Sequence, residues 1–221
     1  MFDVLGTLLD EDAGQLAAAA DTFGVEAPEC LGQWQDAFHA AVVAVQEGRR
    51  PYAAAEVLSA EAITVAAAGW GEELSAAQID RLVTSGRRLD PFPEVAATLD
   101  RLSRSYALVG LTNAGVAQAF AMSRHAGLRW TTLVSSETVQ AYKPDPRMYE
   151  HVLRALDLDP GECVFVAAHP WDLDAAAHHG FRTAYVDRAQ SSQMELAAYA
   201  RRFDHVAGDL AALAQSLAGS M

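Results

Sequence analysis

Four short segments hold the side chains that could act on a substrate together: Asp3 ahead of the turn at Gly6, Thr112-Asn113, Lys143-Pro144, and Val166 to Asp174 with His169, Trp171 and Asp172. Lys143 is the sole lysine of the chain, every other basic residue except histidine being arginine. An ammonium on a flexible stem is a compact point charge that reaches a buried carboxylate in a way a planar guanidinium does not. Asp3, in Phe2-Asp3-Val4-Leu5-Gly6-Thr7, is the carboxylate in a frame to receive it.

Those segments fall where a parallel sheet would place them. Apolar runs at 106–112, 132–135, 162–167 and 183–186 alternate with helical patterns at 94–105, 116–126, 147–156 and 173–180, the rhythm of crossover-connected strands. Each segment sits at the carboxyl end of a predicted strand, where open α/β sheets build their sites. The first strand must end near Asp3 and Val4, so it is either unusually short or begins upstream. Residues 12–89 break the rhythm: they are rich in Ala and helix formers, punctuated at Pro28, at Gly48 to Pro51 and at Gly69 to Gly71. They read as an insert of about four helices, leaving residues 1–11 and 90–221 as a Rossmann-like α/β core.

Composition bounds the rest. The 221 residues suffice for one core and a small accessory domain, and 51% hydrophobic against 20% charged residues means a folded chain. A net charge of −13 argues against nucleic acid or an anionic membrane as partner. Cys30 and Cys163 fit no metal spacing and suit a reducing compartment. With no membrane-length apolar run and no signal peptide, the expected location is cytoplasmic.

In order and spacing, the four segments with a helical insert after the first resemble the haloacid dehalogenase-like superfamily over essentially the whole chain. The resemblance implies a Rossmann-like three-layer core with an inserted helical cap, Asp3 as a carboxylate nucleophile, and a covalent aspartyl intermediate that is then hydrolysed. Phosphatases of that superfamily carry an acid two residues after the nucleophile and a Gly-Asp in the fourth segment; here these positions are Leu5 and Ala167-Ala168. Losing both removes the proton donor for an alkoxide and a magnesium ligand. A halide leaves without a proton, so displacement at carbon needs only alignment, a dry pocket and donors. The chain therefore resembles most the metal-independent (S)-2-haloacid dehalogenases, with Tyr149 six residues after Lys143 and Trp171-Asp172 in the fourth segment.

That resemblance implies haloacid as substrate, halide as product, no cofactor and a possible homodimer. Thr7, Thr112 and Lys143 are expected to hold the carboxylates, and Asp172, helped by Asn113, to orient or deprotonate water. Val4, Leu5, Trp34, Gln35, Phe38, Tyr149, His169 and Trp171 are expected around the substrate, Trp171 by packing. Tyr149 either donates to Lys143 or Asp172 or satisfies its hydroxyl in the core; His169 either contacts solvent or halide or is a structural donor. The dehalogenases carry a cap arginine after a tryptophan, whereas Trp34 is followed by Gln35. Arg49 or Arg50 replaces that charge or stays in a solvated loop. The competing readings are a magnesium phosphatase using Asp3, Asp172 and Asp174, a silent binding protein, and another displacement at carbon such as ring opening.

Overall fold

A computed structural model describes residues 1–218. Four helices come first: α1 (Glu11–Phe23), α2 (Ala27–Gln46), α3 (Ala55–Gly69) and α4 (Ala76–Ser85). Then follow α5 (Val95–Leu102), β1 (Val109–Thr112), α6 (Val116–His125), β2 (Thr132–Ser135), α7 (Ser136–Val139), α8 (Pro146–Leu156), β3 (Val164–Ala167) and α9 (Pro170–His178). The chain closes with β4 (Arg182–Val186), α10 (Gln193–Tyr199), β5 (His205–Ala207) and α11 (Leu210–Ala218).

All strand pairs are parallel, β1 with β2 and β4 with both β3 and β5. The first residues stitch the two halves into one sheet. Phe2 donates its N–H to Val109 and accepts from Leu111, both at 2.8 Å, while Asp3 donates to Val166 at 3.0 Å. The spatial order is thus β2, β1, residues 1–3, β3, β4, β5, and the expected first strand is a short central one.

Strand side chains alternate between two cores, as a period of two demands. Phe2, Val4, Val166, Ala184 and Val186 pack on one face with Leu99 of α5, Met122 of α6 and Leu213 of α11. Val109, Leu111, Phe165 and Tyr185 pack on the other with Met148 and Val152 of α8 and Leu173 of α9. A sheet covered on both faces explains the near-continuous apolar strands seen in the sequence.

The insert has its own core of Ala19, Leu31, Trp34, Ile63 and Leu82. Its alanines let α2 and α3 approach closely, and a reciprocal Ser75/Gln78 capping box starts α4. A separate apolar cluster joins Val42, Val45 and Leu58 to Tyr142, whose hydroxyl donates to the Ala53 carbonyl at 2.8 Å. Gln46 donates to the Lys143 carbonyl at 2.9 Å. The insert is thereby latched to the loop that carries the lysine. Among the described residues no helix is long and apolar enough to cross a membrane.

Candidate active site

Asp3 lies at the end of the central strand, and the chain turns sharply after it at Gly6, whose φ is +70°. Glycine is needed there twice over: the conformation disfavours a side chain, and a Cβ would come within 2.9 Å of the His169 ring. The turn returns Thr7 to the carboxylate. Its hydroxyl donates to Asp3 Oδ2 at 2.5 Å and accepts the Ala168 N–H at 2.9 Å, tying the first segment to the fourth.

Lys143 Nζ stands between two carboxylates, 2.6 Å from Asp3 Oδ1 and 2.5 Å from Asp172 Oδ2. Tyr149 donates its hydroxyl to the other Asp172 oxygen. The Asn113 side chain accepts the Lys143 N–H at 2.7 Å, fixing the backbone from which the lysine reaches down. His169 Nδ1 is 3.0 Å from Asp3 Oδ2, and its ring packs beside Trp171 with centroids 5.6 Å apart.

One ammonium cannot neutralise two buried carboxylates, so the two acids part company. Burial opposes the charge on Asp3, but the Lys143 ammonium and the His169 contact outweigh it and hold the carboxyl well below its ordinary range. Burial pushes Asp172 up, and the Asp3 charge adds to that against the pull of Lys143. Lys143 and His169 are both raised, burial being outweighed by their carboxylates.

A cavity of about 240 Å³ opens over Asp3 between the sheet edge and the insert. Of the expected residues, Asp3, Leu5, Trp34, Gln35, Phe38, Asn113, Lys143, His169 and Trp171 line it. Four others do not. Val4 is in the core beneath, on the Phe2 side of the strand. The Thr112 hydroxyl accepts the Ala114 N–H at 3.2 Å, shaping its own loop without touching Asp3. Tyr149 is sealed in the core with its hydroxyl on Asp172. Asp172 is 0% exposed, and Lys143 and Tyr149 occupy both its oxygens. Asn113 binds the Lys143 backbone, which is also a different task from the one expected.

Neither loop arginine supplies a cavity charge. Arg49 pairs with Glu47 and Arg50 with Glu61. Instead α1 and α3 bring in acids that sequence reasoning missed: Glu11, its carboxyl bonded by Gln15 and pushed up to about 7 by burial and by Asp12 and Asp3, and Glu56. Glu56 Oε2 is buried with no hydrogen-bond partner, against Gly115 at the start of α6. No spacing rule flags them, because each reads as a solvated helix residue until the insert docks.

Comparison with known proteins gives one consistent answer. The haloacid dehalogenase-like hydrolase profile matches residues 1–180. (S)-2-haloacid dehalogenase 4A of Burkholderia cepacia is 28% identical over 191 residues, 85% of this chain and 82% of that protein. A crystal structure of an L-2-haloacid dehalogenase superposes with a TM-score of 0.89 at 32% identity, covering 99% of this chain and 97% of the other. That of a defluorinating L-2-haloacid dehalogenase gives 0.86 at 25% identity, covering 98% and 93%.

Proposed function

The chain belongs to the haloacid dehalogenase-like hydrolase family, and we propose that it hydrolyses short (S)-2-haloalkanoic acids through an ester on Asp3, without a metal. The observation that carries this reading is the state of Asp3 itself. Lys143 and His169 hold it as the carboxylate, it is almost wholly buried, and Lys143 and Thr7 fix it at the floor of the cavity. Such a carboxylate attacks C2 of the substrate, the C–X bond breaks from the opposite side, and halide leaves with inversion at carbon. Lys143 keeps the nucleophile charged before attack; afterwards its ammonium and the Thr7 hydroxyl polarise the ester. Asp172, Tyr149 and Asn113 position the lysine. Water then attacks the ester carbonyl and frees a 2-hydroxy acid.

Leu5, Trp34 and Phe38 supply apolar wall for the alkyl part, and Gln35 donates where the haloacid relatives by resemblance carry a cap arginine. Residues 12–89 act in this reading as the cap over a core of 1–11 and 90–221. A cytoplasmic location is supported by two free thiols, Cys163 being only half-buried. A homodimer is supported by Val116 and Phe120, one helical turn apart and 50% and 68% exposed on α6.

The magnesium phosphatase has less support. Of its three acids, Asp174 pairs with Arg202 on the surface, and Lys143 already bridges the other two. The test is halide release from separate (R)- and (S)-2-chloropropionate, with bromoacetate and fluoroacetate alongside, in chelator, using Asp3→Asn as blank. Release from the (S) form with an (R)-hydroxy product is expected. Silence on every haloacid, with magnesium-dependent phosphate release from a phosphomonoester, overturns the reading.

A further inference from the structure

We propose that Arg188 is a positioning residue for the displacement: from the end of β4 it clamps the neck of the insert and so holds Thr7 on the nucleophile Asp3. The proposal rests on the dehalogenation reading and concerns its first half-reaction, the attack of Asp3 on carbon. That step needs the carboxylate aimed along one line, and a misplacement of about 1 Å can cost about a hundredfold in rate. Lys143 fixes Asp3 Oδ1, whereas Oδ2 depends on the Thr7 hydroxyl at 2.5 Å and on His169 at 3.0 Å. Where that hydroxyl lies is decided by the backbone beneath it.

The turn over residues 4–9 bonds itself almost completely. Leu8 and Leu9 donate to the Val4 carbonyl at 2.9 and 3.1 Å, and Gly6 donates to the Leu9 carbonyl at 3.0 Å. The Thr7 carbonyl is left out. Among the described residues no backbone N–H reaches it, and Arg188 supplies the bond, donating its Nε–H at 2.9 Å. Thr7 is thus held at both ends, its hydroxyl between Asp3 and the Ala168 N–H and its carbonyl on the guanidinium. A bond from a charged donor is stronger than one between neutral groups.

The rest of the guanidinium grips the chain where it returns from the insert. Nη2 lies 2.7 Å from Glu94 Oε1, off the line of a hydrogen bond, so the two meet as an ion pair. The guanidinium carbon stands 4.0 Å over the centre of the Phe92 ring. Glu94 is held in turn by the Leu210 N–H at 3.2 Å. Beside this contact the outgoing and returning arms pair with each other, Asp10 donating to the Asp90 carbonyl at 2.9 Å and Phe92 to that of Leu8 at 3.0 Å. Arg188 therefore spans both arms of the neck, and its side chain is only 11% exposed. An ammonium offers neither the planar face that stacks on Phe92 nor the fork that serves two partners. Arg188 lines no part of the cavity, so its route to the reaction is through Thr7 and the turn.

The experiment is single-turnover halide release from (S)-2-chloropropionate with the full chain in excess, so that slow variants stay measurable. Arg188→Met keeps an aliphatic stem over Phe92 and removes the donor and the charge. It should slow halide release by about tenfold or more, with KM unchanged within about twofold and the wild-type circular dichroism retained. In a Thr7→Val background the same substitution should slow release by no more than about twofold, because the hydroxyl that Arg188 positions is already gone. A folded Arg188→Met protein that releases halide at the wild-type rate overturns the proposal. So does a loss that repeats in full beside Thr7→Val, which makes Arg188 a structural residue only. Should Arg188→Met not fold, Arg188→Lys, which keeps a charge for Glu94 without the Nε donor, takes its place in both backgrounds with the same two deciding outcomes. A wild type that releases no halide from any haloacid overturns the dehalogenase reading instead.

Discussion

The floor and the roof of the cavity are built on opposite principles. On the floor, Asp3, Lys143, Asp172, Tyr149 and Thr7 are buried, and the ionised and polar atoms that face one another are bonded at 2.6 Å or less. On the roof, Glu11, Gln15, Gln35 and Glu56 are polar but loosely engaged, with Gln35 shared between Asp12 and Gln15 at 3.2 and 3.1 Å and one Glu56 oxygen unpartnered. The floor converges from the end of the central strand, the loop before α8 and the first turns of α8 and α9; the roof sits on the helices α1 to α3. A preorganised floor suits a chemistry that needs one charge in one place, and an adjustable roof suits choice among substrates.

Breaking the floor should cost most. Lys143→Met leaves Asp3 and Asp172 buried without a counter-charge, and the expected destabilisation in urea is about 3–5 kcal/mol, with loss of turnover. The sign of its pH dependence follows from Asp3, whose folded pKa is depressed. That pairing stabilises the wild type above the ordinary aspartate range and is lost on acidification, so the gap to Lys143→Met should narrow as pH falls. A gap that widens in acid would show that the carboxylates are not what the lysine compensates.

Tyr149→Phe removes a single donor from Asp172 and keeps the ring in its core, so it should cost about 1–3 kcal/mol with the fold retained. Its effect on turnover should fall in kcat, with KM unchanged, because Tyr149 touches no part of the cavity. A change in KM alone would move Tyr149 from lysine support to substrate contact.

What was legible in the sequence follows the same division. Asp3 ends the central strand, Lys143 stands in the loop before α8 and the Trp171-Asp172 pair in the first turn of α9 just after β3, where order along the chain maps directly to a place on the sheet edge. The residues that face away from the cavity lie one step from these. Val4 alternates away from Asp3 into the core, and the Thr112 hydroxyl turns back on its own loop, because a strand's period of two decides the side and a motif does not. Asp172 meets Lys143 but faces inward with Leu173 and Ala176, which only the packing of α9 reveals. Beyond Val186 the short β5 and the helices α10 and α11 carry little pattern of their own and form against the completed sheet.

Sharpening the roof should give smaller effects. Gln35→Arg adds a guanidinium at the exposed cavity edge beside Asp12. An exposed charge pair contributes about 0.2–1 kcal/mol, so KM for (S)-2-chloropropionate should fall roughly two- to fivefold, with the gain erased by salt. An unchanged KM would mean that Asp12 absorbs the new charge and that substrate binds deeper.

Smallest is the titration of Glu11. Its carboxyl is neutral below its raised pKa of about 7 and ionised above it, and it shares the cavity with Asp3 and His169, with Asp12 beside it. Ionisation places a negative charge near a substrate that is itself a carboxylate. KM should therefore rise as pH passes upward through about 7, by roughly twofold for a weak screened repulsion. In Glu11→Gln that rise should vanish, while the pH dependence of kcat, set on the floor of the cavity, should stay. If the rise survives in Glu11→Gln, the titrating group lies among the floor residues, and the separation between a floor that reacts and a roof that selects fails at this point.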